Sequence, residues 1–222
     1  MVGARVNRLN YLRGNRRACA RARERDALAH TRAMPLQIQP LTPDRLPQLL
    51  AFFEGDAFSH HPTWSSCYCQ CFYEDHRVVK WSERTASQNR AIAILRASDA
   101  TMQGWLACEG DTVVGWCNAA PRALFHALDE EPIPHAAETG SILCFLVAPA
   151  RRGQGVATAL LQAACDGLRA QGLAFAEANP RTGTSDAGQN HYGPLAMYLA
   201  AGFAVDRECD DGSVWVRKSL GA

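Results

Sequence analysis

No run of 18 consecutive apolar residues occurs in the 222-residue chain, so the sequence offers no membrane-spanning helix. Paired cysteine spacing is missing too. The nine cysteines, at 19, 67, 69, 71, 108, 117, 144, 165 and 209, are odd in number and irregular in spacing, and no secretory signal is read ahead of them. Most fall inside apolar strand or helix patterns, where a free thiol packs as a small hydrophobe; a reducing, cytoplasmic setting is therefore expected. Acidic residues are scarce in one place. Residues 1–33 carry nine arginines against Glu24 and Asp26, whereas the remaining chain holds 14 basic and 20 acidic groups. A body of net charge −6 has no electrostatic footprint for nucleic acid, and the arginine-rich segment reads as a disordered extension ahead of a single domain over residues 34–222.

What is present is ample material for a core, with 47% hydrophobic and 20% charged residues. Leu36, Ile38 and Pro40 alternate as a first strand, and Thr42-Pro43 opens a helix over residues 42–53 as N-cap and first helical residue. A second helix is expected over residues 82–97, with Ile92, Ile94 and Leu95 on its apolar side. GWLACEGDTVVGWCNAAPR reads as a hairpin turning at Glu109-Gly110-Asp111. SILCFLV is a strand, residues 155–171 a helix with Val156, Leu160, Ala164 and Leu168 on one stripe, and LAFAEAN a further strand. After a polar loop over residues 180–193 come a short helix from Pro194 to Ala201 and a closing hairpin, FAVDREC and SVWVRKSL. Two antiparallel hairpins thus flank one β-α-β unit.

The stretch ARRGQGVATALL, residues 150–161, lies between that unit's first strand and its helix. Glycine lets a backbone approach a ligand closely, and a helix start offers unpaired N–H groups at the positive end of its dipole, so the pair makes an anion cradle. Two dinucleotide and nucleotide designs fit poorly. Thr158 stands where G-x-G-x-x-G needs its third glycine, residues 148–152 intervene after the strand, and the G-K-[ST] of a Walker loop is absent. Glu177, ending the next strand, is the one feature that keeps a dinucleotide-binding protein in view.

Arg152-Gly153-Gln154-Gly155-Val156-Ala157 resembles the acetyl-CoA loop of the GNAT superfamily of N-acetyltransferases, whose signature is Gln/Arg-x-x-Gly-x-Gly/Ala. GPLAMYLAAGF is similar to that family's A-x-x-L-Y-x-x-x-G-F helix, with Ala196, Tyr198, Gly202 and Phe203 in register. The resemblance covers residues 34–222. It implies an α/β fold of mixed α+β order: a central mixed, mostly antiparallel sheet of six to seven strands with about four flanking helices. It also implies acetyl-CoA as co-substrate, an acceptor amine on a small molecule or peptide, and a homodimer as one arrangement open to the chain. Backbone N–H groups of Arg152 to Ala157 would hold the pyrophosphate, and Phe145, Leu146 and Val147 would pair with the pantetheine arm. Tyr198 matches the family's acid to the departing thiolate. The strand position that carries a glutamate base in many members is Ser141 here, a departure that leaves Glu138, Glu177 and His191 as candidates, with Glu138 taken first.

Cys67-x-Cys69-x-Cys71 would present its thiols on one side if extended, and could join His60, His61 or His76 at zinc. Structural zinc asks for a second cysteine pair, which is missing, so no metal is assigned. The segment instead lies where the family shapes its acceptor pocket, with Trp64, Tyr68, Phe72 and Tyr73 as lining. The expected activity is transfer of acetyl to a primary amine by direct attack. The competing expectation, given Ser141, is a regulatory acyl-CoA-binding module without catalysis.

Overall fold

The computed structural model describes residues 34–59, 61–130, 132–183 and 190–221. The chain divides into two units, Met1–Pro35 and Leu36–Ala222, and the extension expected over residues 1–33 lies outside the described residues.

Seven strands form one sheet in the order β1-β2-β3-β4-β5-β7-β6. They are β1 (Leu36–Pro40), β2 (Gly104–Glu109), β3 (Thr112–Pro121), β4 (Thr139–Val147), β5 (Phe175–Ala178), β6 (Ala204–Glu208) and β7 (Val214–Ser219). All neighbours pair antiparallel except β4 and β5. The β2–β3 turn is Gly110-Asp111, with Glu109 opposite Thr112 and Gly110 at φ 61, as a two-residue hairpin loop requires. Among the described residues four α-helices accompany the sheet: α1 (Leu46–Glu54), α2 (Ala86–Ser98), α3 (Val156–Ala170) and α4 (Leu195–Ala200). The fold class expected from the sequence is the one found.

Parallel strands cannot be joined by a tight turn, and α3 supplies the crossover from β4 to β5. Its stripe of Val156, Leu160, Ala164 and Leu168 is buried, with Leu161 and Cys165 beside it. β4 is buried along nearly its whole length, as a strand covered on both faces should be.

α2 departs from its expected face. Thr85 caps it: the Gln88 N–H donates to Thr85 Oγ1 at 3.2 Å and the Thr85 N–H to Gln88 Oε1 at 2.9 Å. Yet Asn89, Ala93 and Ala97 are its buried residues, and Leu95 is 66% exposed. The reason is its polar partner. Asn89 Nδ2 donates to the Ser66 carbonyl at 2.8 Å, and Arg96 donates to Gln70 Oε1 at 2.8 Å and Glu74 Oε1 at 3.0 Å. The helix docks through small residues and hydrogen bonds on the backbone of the 66–74 segment, and buried polar groups that must be satisfied outweigh its leucine.

The β4–β5 pairing is short. It runs from Thr139 opposite Phe175 to Ile142 opposite Ala178, and then the strands part. The chain after β5 leaves with the β6–β7 hairpin: the Pro180 carbonyl accepts from the Val214 N–H at 2.9 Å, and Arg181 bridges Ser213. β4 stays with β3, where Phe145, Leu146 and Val147 face Cys117, Trp116 and Gly115. Residues 143–147 therefore extend beyond β5 with one backbone edge turned to the gap.

The sheet's β2–β3 contact depends on Gly104, which lies opposite Asn118. A Cβ placed there would sit 2.2 Å from the Cys117 carbonyl oxygen and 2.3 Å from the Trp116 ring. Backbone and a fully buried indole cannot both give way, so Gly104→Ala should cost about 1–3 kcal/mol. At roughly 2–4 °C per kcal/mol for a chain of this size, the thermal midpoint should fall by several degrees. An unchanged midpoint would mean the strands part easily at this point.

Candidate active site

The gap between β4 and β5 is the natural place to look for a ligand, because a strand edge without a partner holds donors and acceptors in a row. Two bonds show which β4 groups face it. The Phe145 N–H donates to the His191 carbonyl at 2.6 Å, and Arg152 Nε donates to the Val147 carbonyl at 3.1 Å. Successive residues turn opposite ways, so the main-chain groups of Leu146 face β3. Of the three residues expected to pair with pantetheine, Phe145 and Val147 turn main-chain groups to the gap, and Leu146 contributes its side chain to the cleft.

At the end of that edge the loop enters α3. Gly153 and Gly155 sit at φ +72 and +81, and no atom lies within 4 Å of where a Cβ on either would be. Glycine is required there by the left-handed backbone, and the space above stays open. The first i→i−4 bond of α3 is from the Ala159 N–H to the Gly155 carbonyl at 3.0 Å, so the N–H groups of Val156, Ala157 and Thr158 have no partner within the helix. They point with the positive end of the helix dipole toward the cleft mouth. Gln154 Nε2 donates to the Ala150 carbonyl at 2.8 Å and braces the loop from outside. The two arginines part company. Arg151 is taken by Glu109, with Nε–Oε1 and Nη2–Oε2 both at 2.7 Å, while Arg152 lines the cleft.

Two hollows share Phe58, Trp64, Leu146 and His191 as a common wall. One, of about 290 Å³, runs past Phe145, Val147, Arg152 and Ala157 to Asn190 and Pro194. The other, of about 460 Å³, is bounded by Cys67, Cys71, Phe72, Trp81, Cys144 and Tyr192 among others. Of the four residues expected to line an acceptor pocket, Trp64 and Phe72 border this larger hollow. Tyr68 and Tyr73 border neither hollow: Tyr68 turns its hydroxyl to Glu54 Oε1 at 3.3 Å, and Tyr73, 2% exposed, donates to Asn118 Oδ1 at 2.8 Å. Both belong to the core under the site, because the 67–70 backbone is not extended; Tyr68 and Cys69 have φ of 47 and 56.

That turn also scatters the three thiols. All three border the larger hollow, but Cys69 is buried and already engaged, accepting from Trp116 Nε1 at 3.2 Å and donating to Cys144 sulfur at 3.9 Å, whereas Cys67 and Cys71 are partly exposed. Burial pushes the Cys67 thiol up to about 11 and the Cys71 thiol up to about 12, with neighbouring thiols adding to both shifts. They stand as neutral thiols at pH 7 and make poor nucleophiles. Among the described residues no cluster of His, Cys, Asp or Glu has the geometry to hold a metal ion; His60 lies outside them.

The acid and base candidates are not brought together. Tyr198 is fully buried, its ring edge-on to Phe145 at 6.4 Å, and its hydroxyl donates to the Tyr192 carbonyl at 2.5 Å. Glu138 sits just ahead of β4, exposed, with His135 Nδ1 3.3 Å from its Oε1. Seven residues of strand, roughly 23 Å, separate it from Phe145. Glu177 lies opposite Ser141 in the β4–β5 pair, accepts from Ser141 Oγ at 2.7 Å and is ion-paired with buried Arg122. His191 alone of the three base candidates reaches the cleft, where it lines both hollows. Cys144, Trp81, Phe58 and Tyr192 were not foreseen as lining; the period of a strand, which puts Cys144 and Leu146 on one face, was the available signal for the first.

A model of the acetyltransferase (GNAT) family matches residues 60–187. Solved structures share the fold at low identity. An N-acetyltransferase from Staphylococcus aureus Mu50 is 15% identical with a TM-score of 0.52, the match covering 84% of this chain and 99% of that one. PaiA N-acetyltransferase from Thermoplasma acidophilum, solved in complex with coenzyme A, is 16% identical with a TM-score of 0.51, over 84% and 99%. YncA of Salmonella typhimurium, a putative acetyltransferase solved with acetyl-CoA, is 15% identical with a TM-score of 0.51, over 84% and 94%. No curated protein matches the sequence. With a match over more than half its length, on a strand gap that ends in a glycine-turned helix start, the chain belongs to the acetyltransferase (GNAT) family.

Proposed function

We propose that the protein transfers an acetyl group from acetyl-CoA to a primary amine by direct attack. The observation that carries the reading is the unbroken path from the β4 edge at Phe145 and Val147 to the open glycines and to the N–H groups at the start of α3 that have no partner within the helix. An extended pantetheine amide matches a strand edge, and a pyrophosphate matches a helix N-terminus flanked by Arg152. Acetyl-CoA would supply an activated thioester. The His191 carbonyl, which holds the Phe145 N–H, would have to yield that donor to the incoming amide.

The chain's own groups then have modest tasks. The acceptor nitrogen forms the new C–N bond as the thioester C–S bond breaks with its electron pair on sulfur. One amine proton passes to solvent, with His191 placed to relay it, and the sulfur takes a proton from solvent to give the CoA thiol. A thiolate is a stable enough leaving group, with an ordinary pKa of about 8.5, to depart without a dedicated acid. Tyr198 is accordingly assigned a positioning role: its hydroxyl pins the 190–193 turn through Tyr192, and that turn carries His191. The non-catalytic alternative would keep the cradle and lack turnover.

Gly155→Asp should abolish acetyl-CoA binding by calorimetry in a protein that still melts cooperatively, because it strains φ +81 and sets a carboxylate against the pyrophosphate. Unchanged affinity would remove the cradle from the account. For Tyr198→Phe, the expected result is an acceptor KM raised severalfold with kcat within about threefold of the parent, since only the turn is loosened. A fall of kcat by about 10²–10⁴-fold would instead make Tyr198 the acid that protonates the thiolate.

A further inference from the structure

We infer that the acceptor is an amine carried on a planar aromatic body, seated in the larger hollow; the inference rests on the acetyltransferase reading and deepens it. The hollow, about 460 Å³, is of a size that encloses a small organic molecule. Its walls are rings. Trp81 stacks on His76 with centroids 6.1 Å apart and planes 11° from parallel, and Trp64 meets His191 edge-on at 5.3 Å and 90°. Phe72 and Tyr192 close another side, 5.8 Å apart and tilted by 60°.

These surfaces suit a flat, apolar guest, which can stack on one ring and meet another by its edge. Between the rings lie Cys144 and Leu146 of β4 and the thiols of Cys67 and Cys71, soft and uncharged at pH 7. Burial also raises the Tyr192 phenol, keeping it neutral. The carboxylates nearest along the chain are occupied: Glu74 by Arg84 and Arg96, Asp75 by Arg77. A polycation entering this hollow would give up its water to aromatic and thiol surface, at a cost an aromatic amine avoids.

The placement of His191 fits the same guest. It belongs to both hollows, so an amine on a ring held by Phe72 and Trp81 reaches toward Phe145, where the thioester would lie.

The test is CoA-thiol release by the full-length protein with four probe amines: p-anisidine, tyramine, n-butylamine and spermidine. Calorimetry with acetyl-CoA is run alongside. Tighter turnover of either aromatic amine, with kcat/KM at least about tenfold above both aliphatic amines, is the expected result. Trp81→Leu and, independently, Phe72→Leu should erase most of that preference while leaving the acetyl-CoA dissociation constant unchanged, since neither residue borders the smaller hollow. Equal or better turnover of spermidine or n-butylamine would overturn the inference, as would a preference that survives both substitutions, or binding of acetyl-CoA without turnover of any aromatic amine. Failure of acetyl-CoA to bind at all would overturn the acetyltransferase reading itself, and this inference with it.

Discussion

Everything at the site depends on one divergence in the sheet. β4 and β5 pair over four register positions and then separate, because the chain beyond Ala178 transfers its hydrogen bonds to the β6–β7 hairpin at Val214 and Ser213. A buried strand edge cannot be left without partners, since each lost backbone bond costs of the order of 1–3 kcal/mol. The chain answers with the 190–193 turn, whose His191 carbonyl takes the Phe145 N–H, and with Arg152, which takes the Val147 carbonyl. Both substitutes come from elements that also form the cleft. The edge is thus capped by groups outside the sheet, and the same divergence that parts the strands opens the cleft.

The helix after β4 converts that edge into a directional cleft. α3 is anchored by a continuous buried stripe from Val156 to Leu168, so its first turn is held rigidly at the mouth. The glycines before it give the backbone its left-handed turns without filling the space above them. Arg151, fixed to Glu109, ties this loop to the β2–β3 hairpin, and Arg152 remains beside the cleft. Position rather than number of charges decides which arginine borders the cleft.

The parts of this arrangement that were legible in the sequence are the local ones. A glycine-turned helix start, an amphipathic stripe and hairpin turns are written in residues within a few positions of one another, and α3, β4 and the closing hairpin fall where the pattern places them. The departures come from backbone turns and hydrogen-bond partners that residue spacing does not reveal. Leu95 is exposed because α2 docks on the polar 66–74 backbone; Tyr68 and Tyr73 are core because Cys69 and its neighbour adopt left-handed φ; the Tyr198 hydroxyl is spent on a carbonyl six residues back. Glu138 and Glu177 bracket the same strand pair in sequence logic, yet one is exposed beyond its far end and the other is held by Arg122. No spacing rule encodes which partner a buried carboxylate finds.

The central claim is that the β4 edge and the start of α3 form one binding surface. Backbone amide spectra of ¹⁵N-labelled protein titrated with coenzyme A test it without reference to turnover. The account predicts the largest shifts at Phe145, Val147, Gly153, Gln154, Gly155 and Val156, with the Phe145 amide moving as it leaves the His191 carbonyl, and little change at Glu138 and Thr139 at the other end of the strand. Shifts confined to the β5–β7 side, or saturable binding that leaves Phe145 and Gly155 unmoved, would contradict it.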